Sequence, residues 1–178
     1  MKNNILIILL ITVFSCNSSI SSNKNSSETE LDYVDIIGVF DRKELTKDPH
    51  KTWFNKNYKD YEFDKKTIDK LKPLFKDVEI KIFMGTWCSD SRKELPVFFK
   101  LMDKLKINNN KIEMIGMTLE KTTPDSLELN QNIINVPTFI FKKNGNEINR
   151  IVEFPIETIE KDILEILTTN NYQNPYDF

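Results

Sequence analysis

The fold is decided by residues 85–96, GTWCSDSRKELP, which directly follow an apolar run at residues 78–84, VEIKIFM. In that run the apolar side chains alternate, which predicts a strand. From Ser89 onward the apolar residues recur every three to four positions, at Leu95, Phe98, Met102 and Leu105, which predicts a helix that Pro96 is placed to kink. Cys88 therefore stands where a strand ends and a helix begins.

The rest of the sequence predicts further strands on either side of this unit. Residues 33–40 predict a first strand, and residues 112–119 predict a second central strand. Residues 138–143 and 147–152 flank an Asn-Gly pair, which indicates a tight hairpin. Crossover connections make strands parallel and hairpins make them antiparallel, so we predict an α/β sandwich with a mixed central β-sheet flanked by helices.

Helices are predicted where a capping residue or a proline precedes an apolar run with helical spacing. Such positions occur at Asp41, at Asp48 followed by Pro49, at Asp64, at Thr123 and at Pro155. The second of these helices carries Trp53, Phe54, Tyr58 and Tyr61, which favours a packed helix face over a peptide site. His50, just before these aromatic residues, is expected on the surface.

The N-terminus is typical of an exported lipoprotein. Lys2 precedes an apolar region of ten residues at 5–14, which is too short to span a bilayer, since spanning takes about 20 residues, but long enough for a secretory signal. The segment ends in VFSC, which resembles the lipobox that signal peptidase II cleaves before a diacylated cysteine. We therefore predict a signal peptide over residues 1–15 and a lipid on Cys16. The alternative is an ordinary secretory signal with a coincidental cysteine.

The following residues favour a tether. Residues 17–30 contain a single apolar side chain and are rich in Ser and Asn, so they cannot bury enough surface to become ordered. We predict that residues 16–30 form a flexible linker holding the folded part at a membrane of the cell envelope, facing the periplasm or the exterior. The choice between inner and outer membrane stays open.

Composition excludes several classes of function. The chain has 25 basic and 27 acidic residues, with a net charge of −2, so it has no basic field for a nucleic acid. One histidine and two cysteines, far apart in the sequence, cannot build a Cys/His zinc site. We predict no metal and no cofactor. If Cys16 carries lipid, Cys88 is the remaining thiol, and an intramolecular disulfide is impossible.

The order of elements from residue 78, together with Trp87-Cys88 and the residues that follow, resembles the thioredoxin superfamily. The family's motif also follows the first core strand and opens a helix, with a proline eight residues after the first cysteine, as at Pro96. The family's cis-proline before a strand is matched by Val136-Pro137. The resemblance implies a thioredoxin-like core over residues 76–170, a helical N-terminal extension over residues 31–75 and a polar tail over residues 171–178.

The resemblance also implies roles for individual residues. Cys88 would be the nucleophile, and Trp87, Val136 and Pro137 would form the groove that holds a substrate. The family's second cysteine falls on Ser91, which we expect to tune the thiol by donating a hydrogen bond to the sulfur. The family's buried aspartate falls on Ile82, so the group that assists the second cysteine is missing together with that cysteine.

Two functions from different classes follow from this pattern. The first is monothiol thiol–disulfide exchange through a mixed disulfide at Cys88, with protein or small-molecule thiols and disulfides as partners. The alternative is a non-catalytic binding lipoprotein with a thioredoxin-like fold. A peroxiredoxin-type peroxidase is disfavoured, because Thr86 stands two residues before Cys88 instead of the three that its motif requires.

Overall fold

The computed structural model describes residues 34–177, which form a mixed five-stranded sheet with four α-helices packed on one of its faces. The strand order is β1-β3-β2-β4-β5, in which β2 and β3 are parallel and all other neighbours are antiparallel. The predicted mixed sheet with flanking helices is therefore confirmed. The predicted signal peptide, the lipid on Cys16 and the whole of the predicted linker, residues 16–30, lie outside the described residues.

The elements have the following bounds. The strands are β1 (Gly38–Phe40), β2 (Val78–Met84), β3 (Ile112–Gly116), β4 (Thr138–Lys143) and β5 (Asn146–Val152). The helices are α1 (Lys51–Asp60), α2 (Lys65–Leu71), α3 (Ser89–Leu105) and α4 (Ile159–Thr168), with short 3-10 turns at Arg42–Thr46, Lys72–Phe75 and Asn109–Lys111. Among residues 34–177, no helix is long and apolar enough to cross a membrane.

The main core lies between the sheet and the four helices. Alternate side chains of β2 point into it, as the alternation in the sequence predicts. They meet apolar side chains from α3 and α4, and all four helices contribute to the same cluster. Its largest fully buried members include Phe75, Phe98, Phe99, Phe139, Phe141 and Leu95.

A smaller apolar cluster covers the other face of the sheet near the end of β2. It contains Phe83, Ile115, Met117, Val136 and Ile140, with Trp87, Cys88, Leu127 and Ile133 packed at its border. The chain between β3 and β4, residues 117–137, supplies most of this cover. The candidate nucleophile therefore lies at the edge of a packed cluster.

The predicted helix at Thr123 is wrong, because residues 117–137 form turns. The Thr123 side chain and backbone N–H both donate to Glu128, at 2.6 and 3.1 Å, and close a local loop. Left-handed backbone conformations recur through the segment, at Lys121, Ser126, Asn130 and Asn132. A right-handed helix cannot pass through residues in this conformation.

Other helix starts are partly confirmed. Asp41 and Asp64 cap their helices, accepting from the N–H groups of Lys43 at 2.8 Å and Thr67 at 3.0 Å. The predicted start at Asp48 and Pro49 is wrong, since α1 begins at Lys51 and the Asp48 carboxylate instead pairs with the Lys51 ammonium at 2.6 Å. The last helix begins four residues after Pro155, at Ile159.

The first strand is shorter than predicted from residues 33–40. Pairing with β3 is limited to three residues, and it starts where Gly38 lies opposite Gly116, the last residue of β3. Before this point Ile36 crosses Gly116, and a Cβ atom there would overlap the Ile36 carbonyl oxygen. Glycine at position 116 thus permits the extension to pack closely on the core sheet.

The extension packs along the helical layer. Trp53, Phe54, Tyr58 and Tyr61 pack against the main core, so the predicted packed helix face is confirmed. The Arg42 guanidinium lies 4.6 Å from the centroid of the Phe99 ring and pairs with Asp103 at 2.7 Å. A cation held over an aromatic face and paired with a carboxylate links the extension to α3.

The C-terminal residues also pack on the domain. Tyr172 is buried; its hydroxyl donates to Asp162 at 2.9 Å, and its carbonyl accepts from the side-chain amide of Asn149 at 2.8 Å. Asn174 is buried as well. The predicted polar tail, residues 171–178, is thus attached to the domain through Tyr172, while Asn174 is hydrogen-bonded to Tyr176 and Asp177 within the tail.

We expect Gly116→Ala to destabilise the protein, because the new methyl group would meet the Ile36 backbone instead of a flexible side chain. The free energy of unfolding in urea should fall by about 1–3 kcal/mol. Val39→Thr is the matched control, since Val39 is exposed on β1, and it should change stability by less than about 0.5 kcal/mol. Wild-type stability for Gly116→Ala would contradict this close crossing.

Candidate active site

Cys88 is the residue immediately before α3, at its N-cap, with an extended backbone. Its side chain is partly exposed, and the thiol donates to the Val136 carbonyl oxygen across 3.1 Å. The sulfur thus lies at the positive end of the helix dipole, where backbone N–H groups lack helical partners. The structure brings together two of the predicted site segments, which are 48 residues apart.

The Val136–Pro137 bond is cis, as predicted. This segment is held from both sides: the Thr138 hydroxyl donates to the Asn135 carbonyl at 2.6 Å, and the Glu153 N–H donates to the Pro137 carbonyl at 2.7 Å. The carbonyl that contacts the thiol therefore belongs to a backbone fixed between β4 and the end of β5.

Two contacts hold the Trp87 indole in place. Its indole N–H donates to the Met117 carbonyl at 2.9 Å, and the indole lies so close to Gly85 that a Cβ atom there would overlap it. Trp87, Cys88 and Val136 all belong to the smaller apolar cluster. The residues predicted to form the groove are therefore brought together. Their action on a substrate stays a prediction.

Ser91 occupies a different position from the one expected. It is fully buried, and its hydroxyl accepts a hydrogen bond from the Gly85 N–H at 3.2 Å. The predicted hydrogen bond to the sulfur is not formed, since the sulfur's partner is the Val136 carbonyl. Ser91 instead links the first turn of α3 to the loop before the motif through its hydrogen bond with Gly85.

The N-terminal extension is hydrogen-bonded to this loop, a contact that the sequence did not predict. The Thr86 hydroxyl donates to Asp35 at 2.7 Å and accepts from the Ile36 N–H at 3.2 Å. The Arg92 guanidinium donates to the Thr86 carbonyl at 2.5 Å. About fifty residues separate Asp35 from Thr86 in sequence, so no local pattern indicates this contact.

His50 lies in the same region and is only 4% exposed, so its predicted surface position is wrong. It stands just before α1, with its ring 6.0 Å from that of Trp53 in an edge-to-face arrangement. Burial lowers the pKa of His50, and the nearby charge of Arg92 lowers it further, while Asp35 acts in the opposite direction. The neutral imidazole is the form that this site favours.

The chemistry of the site rests on one sulfur atom. Across residues 34–177, no group of three or more His, Cys, Asp or Glu side chains is arranged to hold a metal ion. Cys88 is the single cysteine of this range. A partly exposed thiol at a helix start, beside a cis-proline segment, defines a thioredoxin-like domain with one motif cysteine.

The comparison with family models agrees with this class. A family model described as "Thioredoxin" matches residues 41–165, and the chain belongs to this family, whose fold is that of thiol–disulfide oxidoreductases. No curated protein matches the chain.

The solved structures that resemble the chain include the following two. A protein of unknown function from Pseudomonas aeruginosa is 14% identical, with a TM-score of 0.48, and the match covers 66% of this chain and 78% of that one. Thioredoxin O2 from Arabidopsis thaliana, in the oxidized state, is 18% identical, with a TM-score of 0.36 and coverage of 56% and 85% respectively.

We expect the free energy of unfolding to fall as pH decreases through about 6.5, the ordinary pKa of histidine. The chain has a single histidine, and the folded state lowers its pKa, so the unfolded chain binds a proton that the folded protein does not. The slope would be at most about 1.4 kcal/mol per pH unit. Urea unfolding between about pH 8 and 5.5, above the usual range of carboxylates, measures it.

The matched control is His50→Gln, which removes the titrating group. Its stability should be nearly flat over the same pH range. A slope that persists in this variant would assign the pH dependence to another group and contradict the prediction.

Proposed function

We propose that this protein carries out monothiol thiol–disulfide exchange through a mixed disulfide at Cys88, while a lipid on Cys16 tethers it to a membrane of the cell envelope. The observation that carries the exchange reaction is the position of the sulfur. It is partly exposed at the start of α3 and 3.1 Å from the Val136 carbonyl oxygen.

The exchange step is a substitution at sulfur. The Cys88 thiolate attacks one sulfur of a substrate disulfide, a new S–S bond forms, and the other substrate sulfur leaves as a thiolate with the electron pair of the broken bond. The positive end of α3 favours the charged nucleophile. The thiol contact with Val136 directs the sulfur toward the cis-proline segment, where a substrate backbone would lie.

The mixed disulfide requires a second molecule for its release. The position that would carry a resolving cysteine is Ser91, which is buried and bonded to Gly85. The chain's other cysteine is Cys16, which is the proposed lipid site. An external thiolate must therefore attack the Cys88 sulfur, so that Cys88 is regenerated and the substrate leaves bonded to the incoming thiol.

Trapping of Cys88 adducts tests the reaction. Cells are quenched with acid to stop thiol exchange, and their free thiols are then blocked. The wild-type protein should carry disulfide-linked partners that disappear on reduction, and Cys88→Ser should carry none. The purified protein should also form a mixed disulfide with a simple disulfide reagent. If Cys88 reacts no faster than a cysteine in an unfolded peptide, the non-catalytic binding protein becomes the favoured function.

We predict that Ser91→Cys closes an internal disulfide with Cys88 under mild oxidation. Residues 88 and 91 lie at the cap and in the first turn of α3, where the family closes its disulfide, and Ser and Cys differ mainly in one atom. Mass spectrometry should show the loss of two hydrogen atoms, and the variant should gain dithiol-driven reduction of a model disulfide.

A matched control is Ser89→Cys, in the same turn but exposed and adjacent to Cys88 in sequence. It should not gain the dithiol-driven reaction. Failure of Ser91→Cys to form any internal disulfide would show that residues 88 and 91 lack the motif geometry, and would remove the basis for the proposed chemistry.

Metabolic labelling tests the tether. A fatty-acid probe should label the wild-type protein, and Cys16→Ala should lose the label, because the acyl chains require the thiol of the lipobox cysteine. Cys88→Ala serves as the control and should label like the wild type. Equal labelling of Cys16→Ala and the wild type would overturn the tethering proposal and leave the exchange reaction unaffected.

A further inference from the structure

The C-terminal segment, residues 169–177, is anchored to the turn that follows β5. The Tyr172 hydroxyl donates to Asp162 at 2.9 Å. Asp162 in turn accepts from the backbone N–H groups of Ile156, at 2.6 Å, and Glu157, at 3.1 Å. The segment after α4 therefore fixes the position of the loop that lies between β5 and α4.

The same segment reaches the candidate site through Tyr176. The Tyr176 hydroxyl donates to the Glu153 carboxylate, which also accepts from the side-chain amide of Asn135 at 3.3 Å. The Glu153 N–H donates to the Pro137 carbonyl at 2.7 Å. Glu153 thus contacts both residues that flank Val136, Asn135 through its carboxylate and Pro137 through its backbone N–H, and the Val136 carbonyl contacts the Cys88 thiol.

Glu153 has an unusual backbone conformation for a residue with a side chain. Its φ angle is 68°, in the left-handed region that favours glycine. Contacts with Pro137, Asn135 and Tyr176 offset the cost of this conformation. Side chains kept in such conformations cluster at functional sites.

The charges around this part of the groove are mainly negative. The hydrogen bond to Glu153 raises the pKa of Tyr176, and the nearby charge of Asp90, two residues after Cys88, raises it further. A cation on this side, Lys121, has its ammonium bound to the Ile134 carbonyl at 2.7 Å and to the Asn135 side-chain oxygen at 3.2 Å.

The two cations on the other flank of the motif, Arg92 and Lys93, are each bound to a group of the protein. Arg92 donates to the Thr86 carbonyl, and Lys93 pairs with Glu94 at 2.7 Å. His50 favours its neutral form. Next to Glu153, the Phe154 side chain is 40% exposed and offers an apolar surface.

From this arrangement we propose that Glu153, held in place by Tyr176, selects substrates by charge: Cys88 reacts preferentially with disulfides that carry positive or no charge near the reacting sulfur, and disfavours anionic ones. Tyr176 is a positioning residue in this scheme, and Glu153 determines specificity. The proposal rests on the proposed exchange reaction and names the substrate class for it. In each case Cys88 bonds to one substrate sulfur, and the other leaves as a thiolate.

Three simple disulfides test the proposal: cystamine, which is cationic, 2-hydroxyethyl disulfide, which is neutral, and glutathione disulfide, which is anionic. Rates of mixed-disulfide formation at Cys88 are compared between the wild type and Glu153→Gln, by mass spectrometry at neutral pH and low ionic strength. We expect the variant to react about threefold more slowly with cystamine and about threefold faster with glutathione disulfide. This is the order of effect that one unit charge exerts across several ångströms of a mostly aqueous setting. The rate with the neutral reagent should not change.

Opposite changes for the two charged reagents separate charge selection from altered reactivity of the sulfur, since a change in its nucleophilicity would alter all three rates alike. Glu79→Gln is the matched control, because it removes an exposed carboxylate near the start of β2, away from Cys88, and it should leave the ratios unchanged. Tyr176→Phe, which frees the Glu153 carboxylate, should lose part of the discrimination. Salt at about 0.5 M should weaken it in the wild type.

The outcomes separate this proposal from the exchange reaction itself. Equal rate changes for all three reagents would overturn charge selection, and so would unchanged rates for all three. Either result would leave thiol exchange in place. A wild-type protein that reacts with none of the three would overturn the exchange reaction, and charge selection with it.

Discussion

The constraint on which the rest of this structure depends is the burial of the carboxyl end of β2 on both faces of the sheet. Ile82 and Met84 face the main core, Phe83 faces the smaller cluster, and all three are fully buried. The strand also pairs with β3 on one side and β4 on the other. A strand held in this way cannot shift its register without moving apolar side chains into water. The loop that follows it, with Cys88, is therefore fixed.

Two segments outside the thioredoxin-like core approach the candidate site from different sides. The N-terminal extension reaches Thr86 through Asp35 and Ile36, and the C-terminal segment reaches Glu153 through Tyr176. Both contacts consist of hydrogen bonds, made to the side chains of Thr86 and Glu153. The site is thus shaped by residues at both ends of the domain, and a core without them would leave the polar groups around Cys88 without these partners.

The candidate site has the geometry for one sulfur-based step. The thiol contacts a carbonyl of the cis-proline segment, and the position three residues later is occupied by a buried serine that binds Gly85. The position of the family's buried aspartate is taken by Ile82, which is fully buried in the main core. The family's resolving thiol and the carboxylate that assists it are thus both absent, which is consistent with exchange that needs an external thiol.

The sequence by itself determined the elements whose pattern is local. Alternation over β2, helical spacing over α3 and the Asn-Gly hairpin between β4 and β5 all predicted the observed elements, because side-chain periodicity and turn chemistry act over a few residues. The placement of Cys88 at a helix start followed from the same patterns. The cis bond before Pro137 was predicted from the family resemblance, and the structure has it.

Only the tertiary structure decided the contacts between distant segments. No local sequence pattern predicts the neighbours on which three features depend. These features are the turns at residues 117–137, the burial of His50 and the hydrogen bond between Ser91 and Gly85. Capping residues such as Thr123 favour a helix but also favour turns, and packing over the second face selects between them. A polar residue such as Tyr176 or Asp162 is buried or exposed according to whether partners far away in sequence satisfy its hydrogen bonds, and this is a property of the folded chain alone.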